Sequence, residues 1–255
     1  WAYHKAAVVN QMGGKVLMTA PPRPANPSDP VERAKLDIVL ANRILSSDDV
    51  GILDTVGHVS VRNPSNPNSY FVASKTAAGA VTAADVIERD ITKAEADTQG
   101  LSIDDEIYKS HPEVKAVVYA RTPEITAFTG SVPLRGSVNG GNFIGEGLPL
   151  VNMTTLADPA LGAAVAKALD KKGGVLLSGH GYVMTGGSIY NVTGRAYQVR
   201  QNAKIQQQAI ALRGKVTYLV DLPDRSAAAP EGGAGRGQGA ANAGAGPQGG
   251  GGGGT

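Results

Sequence analysis

The sequence predicts an α/β domain built on a mixed sheet. Three observations carry this: helix segments marked by caps and helical apolar spacing, Val-rich runs of strand type, and the order of the two along the chain. That order is helix, strand pair, helix, strand, helix, strand pair, long helix, strand, and it calls for helices layered on a sheet. At 255 residues the chain has room for one ordinary domain or two small ones, enough to bury a core without metal or disulfide staples.

The first helix should start at Asp29-Pro30. Asp29 suits the N-cap, Pro30 the first helical position, and Glu32 a capping box. Ala34, Ile38, Ala41 and Leu45 then recur at helical spacing until Gly51 breaks the run. Residues 59–62 and 70–73 read as two short strands around the turn NPSNPNS. Residues 82–90 suggest a capped turn leading into a strand. A helix over 103–111 ends at Pro112. Val-rich 114–120 reads as a buried strand, and 123–128 as a short helix. Residues 158–171 form an amphipathic Ala/Leu helix stopped by Gly173-Gly174. Strand, turn and strand follow over 174–186, then a long Gln/Ala-rich helix over 188–213. VTYLV (216–220) reads as a closing strand.

Both termini differ in composition from this middle. Residues 1–30 form a Pro-rich arm, with Pro21, Pro22, Pro24 and Pro27 favouring extended chain. Residues 223–255 form an Ala/Gly-rich low-complexity tail with too little apolar surface to offset its chain entropy. The folded domain is thus expected over 31–222.

Charge and cysteine content exclude several classes. The chain has 24 Lys and Arg against 22 Asp and Glu, with no basic patch of the kind nucleic-acid binding requires. It has no apolar run long enough for a membrane span. With no cysteine, a disulfide framework and a thiolate metal site are both ruled out. The absence of thiols and the initial Trp1 suggest an exported protein whose leader has been removed. Asn152-Met153-Thr154 and Asn191-Val192-Thr193 are glycosylation sequons that matter only in a eukaryotic secretory setting.

Three strings carry a resemblance. GILDTVGHVSVRNPSNPNSYFVAS (51–74), DDEIYKSHPEVKAVVYARTPE (104–124) and LLSGHGYVMTGGS (176–188) stand in this order. They resemble the class II aldolase/adducin family over about residues 31–220. GHVSVR, GEG (145–147) and the closing VTYL resemble the branch that decarboxylates hydroxylated aromatic or muconate-type acids. The resemblance implies a three-layer α/β/α class II aldolase-like domain with a central mixed, largely antiparallel sheet. It implies cyclic tetramers with the pocket at the subunit boundary. It also implies a divalent metal such as Zn or Mn, held by a His-x-His pair on a strand and a third His in a Gly-His-Gly type turn. Residues i and i+2 of a strand face one side, so two imidazoles can grip one ion, which then acts as a Lewis acid.

This chain departs from that pattern. Tyr119 and Arg121 stand where the strand pair of His belongs, and Asp104 stands where the preceding helix carries a functional His. His180 alone keeps a ligand-type residue. Arg stays protonated and cannot ligate. The expectation is therefore no bound metal and no cofactor, with Asp104, Tyr119, Arg121 and His180 as vestigial site positions. For His180 two readings stand: a hydrogen bond across its own tight turn, or a role in catalysis. His58 and Ser60 line the family's pocket by resemblance, and His58 reads equally as a packing residue. Ser74 and Lys75 resemble an anion-binding turn. His4 and His111 look incidental. For Arg121 two readings stand: it binds an anionic ligand in the old pocket, or it pairs with Asp104 and plugs the pocket.

Two functions follow. One is a catalytically degenerate family member with a structural, self-assembling role as a homo-oligomer or polymer, built through the arm and the tail by heterologous contacts. The other is a lyase, decarboxylase or aldolase, acting on a small carboxylated hydroxy compound. No nucleic-acid partner is expected under either.

Overall fold

The computed structural model describes residues 27–93, 100–169, 171–213 and 216–222. The tail, and all of the arm before Pro27, lie outside the described residues, as does His4.

Helix α1 (Pro30–Ser46) begins as its sequence requires: Asp29 accepts from the Val31 N–H and Pro30 occupies the first turn. Glu32 pairs with Lys35 at 2.9 Å instead of closing a capping box with Asp29; the separate capped turn expected after residue 82 does form, with a capping box between Thr82 and Asp85. The strands are β1 (His58–Arg62), β2 (Ser69–Val72), β3 (Ile87–Asp90), β4 (Ala116–Ala120), β5 (Leu150–Val151), β6 (Gly174–Leu177) and β7 (Gly181–Gly186). The remaining helices are α2 (Leu101–Ser110), α3 (Pro123–Thr126), α4 (Pro159–Ala168) and α5 (Ile189–Arg213).

The strands form one sheet in the order β3-β2-β1-β4-β7-β6-β5. Every pairing is antiparallel except β5 with β6. Alternation along β4 assigns the layers. Ala116, Val118 and Ala120 pack with Leu45, Ile125, Val192 and Val199 from α1, α3 and α5. Val117 and Tyr119 pack on the other face with Ile103, Ile107, Leu161 and Val165 from α2 and α4. The result is the α/β/α sandwich with a mixed, largely antiparallel sheet. No helix among the described residues is long and apolar enough to cross a membrane.

Two details differ from the sequence expectation. Residues 216–220 form no strand: Leu219–Asp221 is a single 3-10 turn. The Leu219 N–H donates to Gly136 O at 2.8 Å, and Arg135 lies 4.2 Å over the Tyr218 ring. These contacts fasten the segment to the 133–147 loop instead of to a sheet edge. The sheet is completed by β5, whose two residues follow Pro149 and are too short for a periodic signal.

Candidate functional site

Register brings the candidate residues to one end of the sheet. β1 starts and β4 ends there, with His58 opposite Tyr119. β6 ends and β7 starts there, joined by a turn in which Gly179 takes φ +63° and the His180 N–H donates to Leu177 O at 3.1 Å. Such a φ is the left-handed region where glycine has no Cβ penalty. β2 also ends there, so Ser74 and Lys75 share the rim. Ser74 is buried, and its hydroxyl has no partner among the described residues. Lys75 is exposed.

Two polar clusters occupy this end. The first is buried beneath β1. His58 and Asp104 are both fully buried, with Nε2 3.0 Å from Oδ2. Ser60 donates to the other Asp104 oxygen and sits 3.0 Å from the Tyr108 hydroxyl. The neighbouring Asp105 receives Arg89 (2.8 and 2.9 Å) and the Tyr70 hydroxyl (2.9 Å). Burial pushes the Asp105 carboxyl up, against the lowering influence of Arg89. The Tyr108 phenol is likewise pushed up by burial.

The second cluster is half-exposed. Tyr119, stacked on His58 with ring centroids 5.4 Å apart, hydrogen-bonds through its hydroxyl to His180 Nε2. Arg121 pairs with Asp54 through Nε at 2.8 Å and Nη2 at 2.6 Å. Asp54 also accepts from the N–H groups of Val56 (2.9 Å) and Gly57 (2.8 Å). Burial pushes the Asp54 carboxyl up, but those N–H bonds and Arg121 outweigh it and hold it below its ordinary value. Burial, then the Arg121 charge, lowers the His180 imidazole against the opposing pull of Asp54. His180 is therefore neutral at neutral pH.

The expected plug does not form. Asp104 lies on the α2 side of the sheet, in line with His58 and Ser60, while Arg121 extends past the end of β4 to the loop before β1. Each therefore finds a different partner, Asp104 with His58 and Arg121 with Asp54. The His180 imidazole bonds to Tyr119 on a neighbouring strand, while the backbone N–H of His180 bonds across its own turn. His58 takes the packing role, as a fully buried partner of Asp104. The residue that sequence reasoning missed is Asp54. Its signal was an Asp followed by two turn N–H groups before a strand, the pattern of an Asx-turn.

With this geometry in place, likeness to known proteins can be stated. The model of the Class II Aldolase and Adducin N-terminal domain matches residues 37–207. The chain belongs to the class II aldolase/adducin family. It is 29% identical over 189 residues to the decarboxylase tropJ of Talaromyces stipitatus, covering 63% of this chain and 71% of that protein. An aldolase II superfamily protein from Pseudomonas syringae shares the fold with TM-score 0.65 at 17% identity, over 78% of this chain and 83% of that one. So does the L-fuculose 1-phosphate aldolase of Glaciozyma antarctica, with TM-score 0.63 at 21% identity over 82% and 84%.

Membership corrects one expectation. This is a family for which the motif resemblance implies a divalent metal, and fuculose-phosphate aldolases stand among its structural neighbours. The reading of this chain as free of any cofactor therefore does not stand, and a divalent ion such as zinc is the cofactor to test. The family's cage of three imidazoles nevertheless does not fit the residues present. Among the described residues no group of three or more His, Cys, Asp or Glu is placed to hold an ion. The donors at the rim are His180 Nε2 and the Tyr119 hydroxyl, which bond to each other.

Proposed function

We propose that this chain is a carbon–carbon lyase that decarboxylates a small carboxylated hydroxy compound at the His180 rim. The observation that carries the proposal is a neutral, half-exposed His180, fixed by the buried Tyr119 hydroxyl and flanked by the Arg121 cation. Likeness to a decarboxylase supports the reaction type.

Each residue has a stated part. Asp54 takes Nε and Nη2 of Arg121, and Nη1 has no partner among the described residues. That nitrogen is the docking point for the substrate carboxylate. Tyr119 is a positioning residue: in the tautomer whose Nε2–H donates to the Tyr119 oxygen, the lone pair of His180 lies on Nδ1. In a substrate whose hydroxyl is conjugated with the carboxyl-bearing carbon, such as an ortho- or para-hydroxybenzoate, Nδ1 takes the proton of that hydroxyl and returns it to the carbon bearing the carboxylate. The carbon–carboxylate bond then breaks and CO2 leaves. The bonding pair stays on the substrate, whose oxygen takes one proton from water.

The test is CO2 release from a panel of hydroxybenzoates and aliphatic hydroxy acids, run with protein incubated with Zn or Mn. Release by the wild type and its loss in His180→Ala supports the lyase. No release from any member under either ion counts against it.

A second reading is favoured by the Arg121–Asp54 pair, which neutralises the rim cation inside the protein. On this reading the chain is a family member whose turnover has been lost, retained as a homo-oligomer, a cyclic tetramer or larger array, outside the cytoplasm. Its signature is a large native assembly that is inert toward the whole panel.

A further inference from the structure

The opposite end of the sheet carries a second site. A cavity of about 570 Å3 opens where β7 ends, about 17 Å along that strand from His180. Its size falls in the range of small-molecule pockets. Lys171 and Arg195 line it with His111, Glu113, Gly186 and Gly187. His111, incidental in the sequence, is 3.1 Å from Glu113 and 2.9 Å from Ala166 O. The wall's carboxylate thus already has a partner.

The two cations differ from it. Neither Lys171 nor Arg195 has a carboxylate partner among the described residues. Arg195 is built into the wall: Nη1 donates to Thr185 O at 3.1 Å and to Lys172 O at 3.5 Å, and the guanidinium lies 5.3 Å over Phe143. Gly173 makes room for it. Its φ is +68°, and a Cβ there would stand 2.4 Å from Nη1. Gly186 and Gly187 lead directly into the 25-residue α5, whose N-terminal end adds partial positive charge to the same wall. A guanidinium held by backbone carbonyls and an exposed ammonium, neither with a carboxylate partner among the described residues, face one cavity whose lining holds one carboxylate, Glu113; two cations so placed suit an oxyanion.

We propose that this cavity binds a small metabolite bearing an oxyanion, carboxylate or phosphate, through Arg195 and Lys171. It stands apart from the lyase rim and does not depend on that reading.

The experiment is calorimetric titration of the full chain at low salt, with inorganic phosphate in one arm and malonate in the other. Saturable binding of one equivalent is expected in at least one arm. Phosphate alone identifies a phosphorylated ligand, malonate alone a carboxylated one. Lys171→Ala, at an exposed position with no side-chain bond among the described residues, should weaken binding on the order of tenfold. Arg195→Lys should weaken it while keeping charge, and Arg121→Ala should leave it unchanged. No saturable binding in either arm overturns the proposal. So does binding that ignores Lys171→Ala, or that is lost in Arg121→Ala, which would place the anion at the lyase rim.

Discussion

Asp104 and Asp54 are both carboxylates facing a cation-type side chain at the same end of the sheet, and they are fitted for opposite tasks. Asp104 is fully buried and spends its oxygens on His58 and Ser60. Asp54 is about one-third exposed, and its partner Arg121 is equally so. Water can reach one pair and not the other. A sealed pair has no way to meet a substrate, so it can only shape what lies above it. An open pair remains available to an anion. Asp104, at the position where the resemblance implies a helix His, is part of a packed polar layer beneath the rim.

This contrast predicts a steep order of effects. Asp104→Ala should be the most damaging change, leaving His58 buried without its carboxylate. A loss of about 1–3 kcal/mol is expected by chemical denaturation, the cost of removing a buried hydrogen-bond acceptor, and an unchanged midpoint would mean that the pair carries no structural weight. Tyr119→Phe keeps the ring stacked on His58 and removes the hydrogen bond to His180. It should cost about 1 kcal/mol of stability yet abolish CO2 release, because His180 is no longer fixed. Equal small losses in both would reduce Tyr119 to a packing residue. Arg121→Ala should change stability by no more than about 1 kcal/mol, since an exposed ion pair is screened by water, while raising KM for the substrate. A larger stability loss would blur the distinction between the two clusters.

The smallest effects are in pH. His180 has its folded pKa lowered from 6.5, so the unfolded chain binds its proton first. Stability should fall as pH drops below about 6.5 toward the lower folded value. Asp54 is lowered from 3.8. Its contribution is complete above that value and is lost as pH falls through the folded one. His180→Gln should remove the first decline and keep the second, and Asp54→Asn the reverse. Denaturation midpoints across the acid range separate the two.

The sandwich was legible because its signals are local. Asp29-Pro30 opens a helix by its own chemistry, and the Val content of 114–120 marks a strand buried on both faces. VTYLV misled for the same reason: its residue types suit a strand, but a contact with Gly136, 83 residues earlier, decides where Leu219 goes. The rim positions Tyr119, Arg121 and His180 were legible from motif order. Their partners were not. Arg121 could reach Asp104 or Asp54 on charge alone, and only the register that sets His58 opposite Tyr119 sends Asp104 to β1. Complementary charge in a sequence says that a pair can exist, and burial and register choose it.

On the proposed function, the half-exposed cluster performs the chemistry and the buried cluster supports it. CO2 evolution from carboxyl-labelled hydroxy acids by wild type, His180→Ala and Arg121→Ala, each matched for folded fraction and divalent ion, separates the two roles. Release by the wild type, none by His180→Ala, and release recovered at high substrate by Arg121→Ala are expected. Release by His180→Ala at the wild-type rate would contradict that proposal.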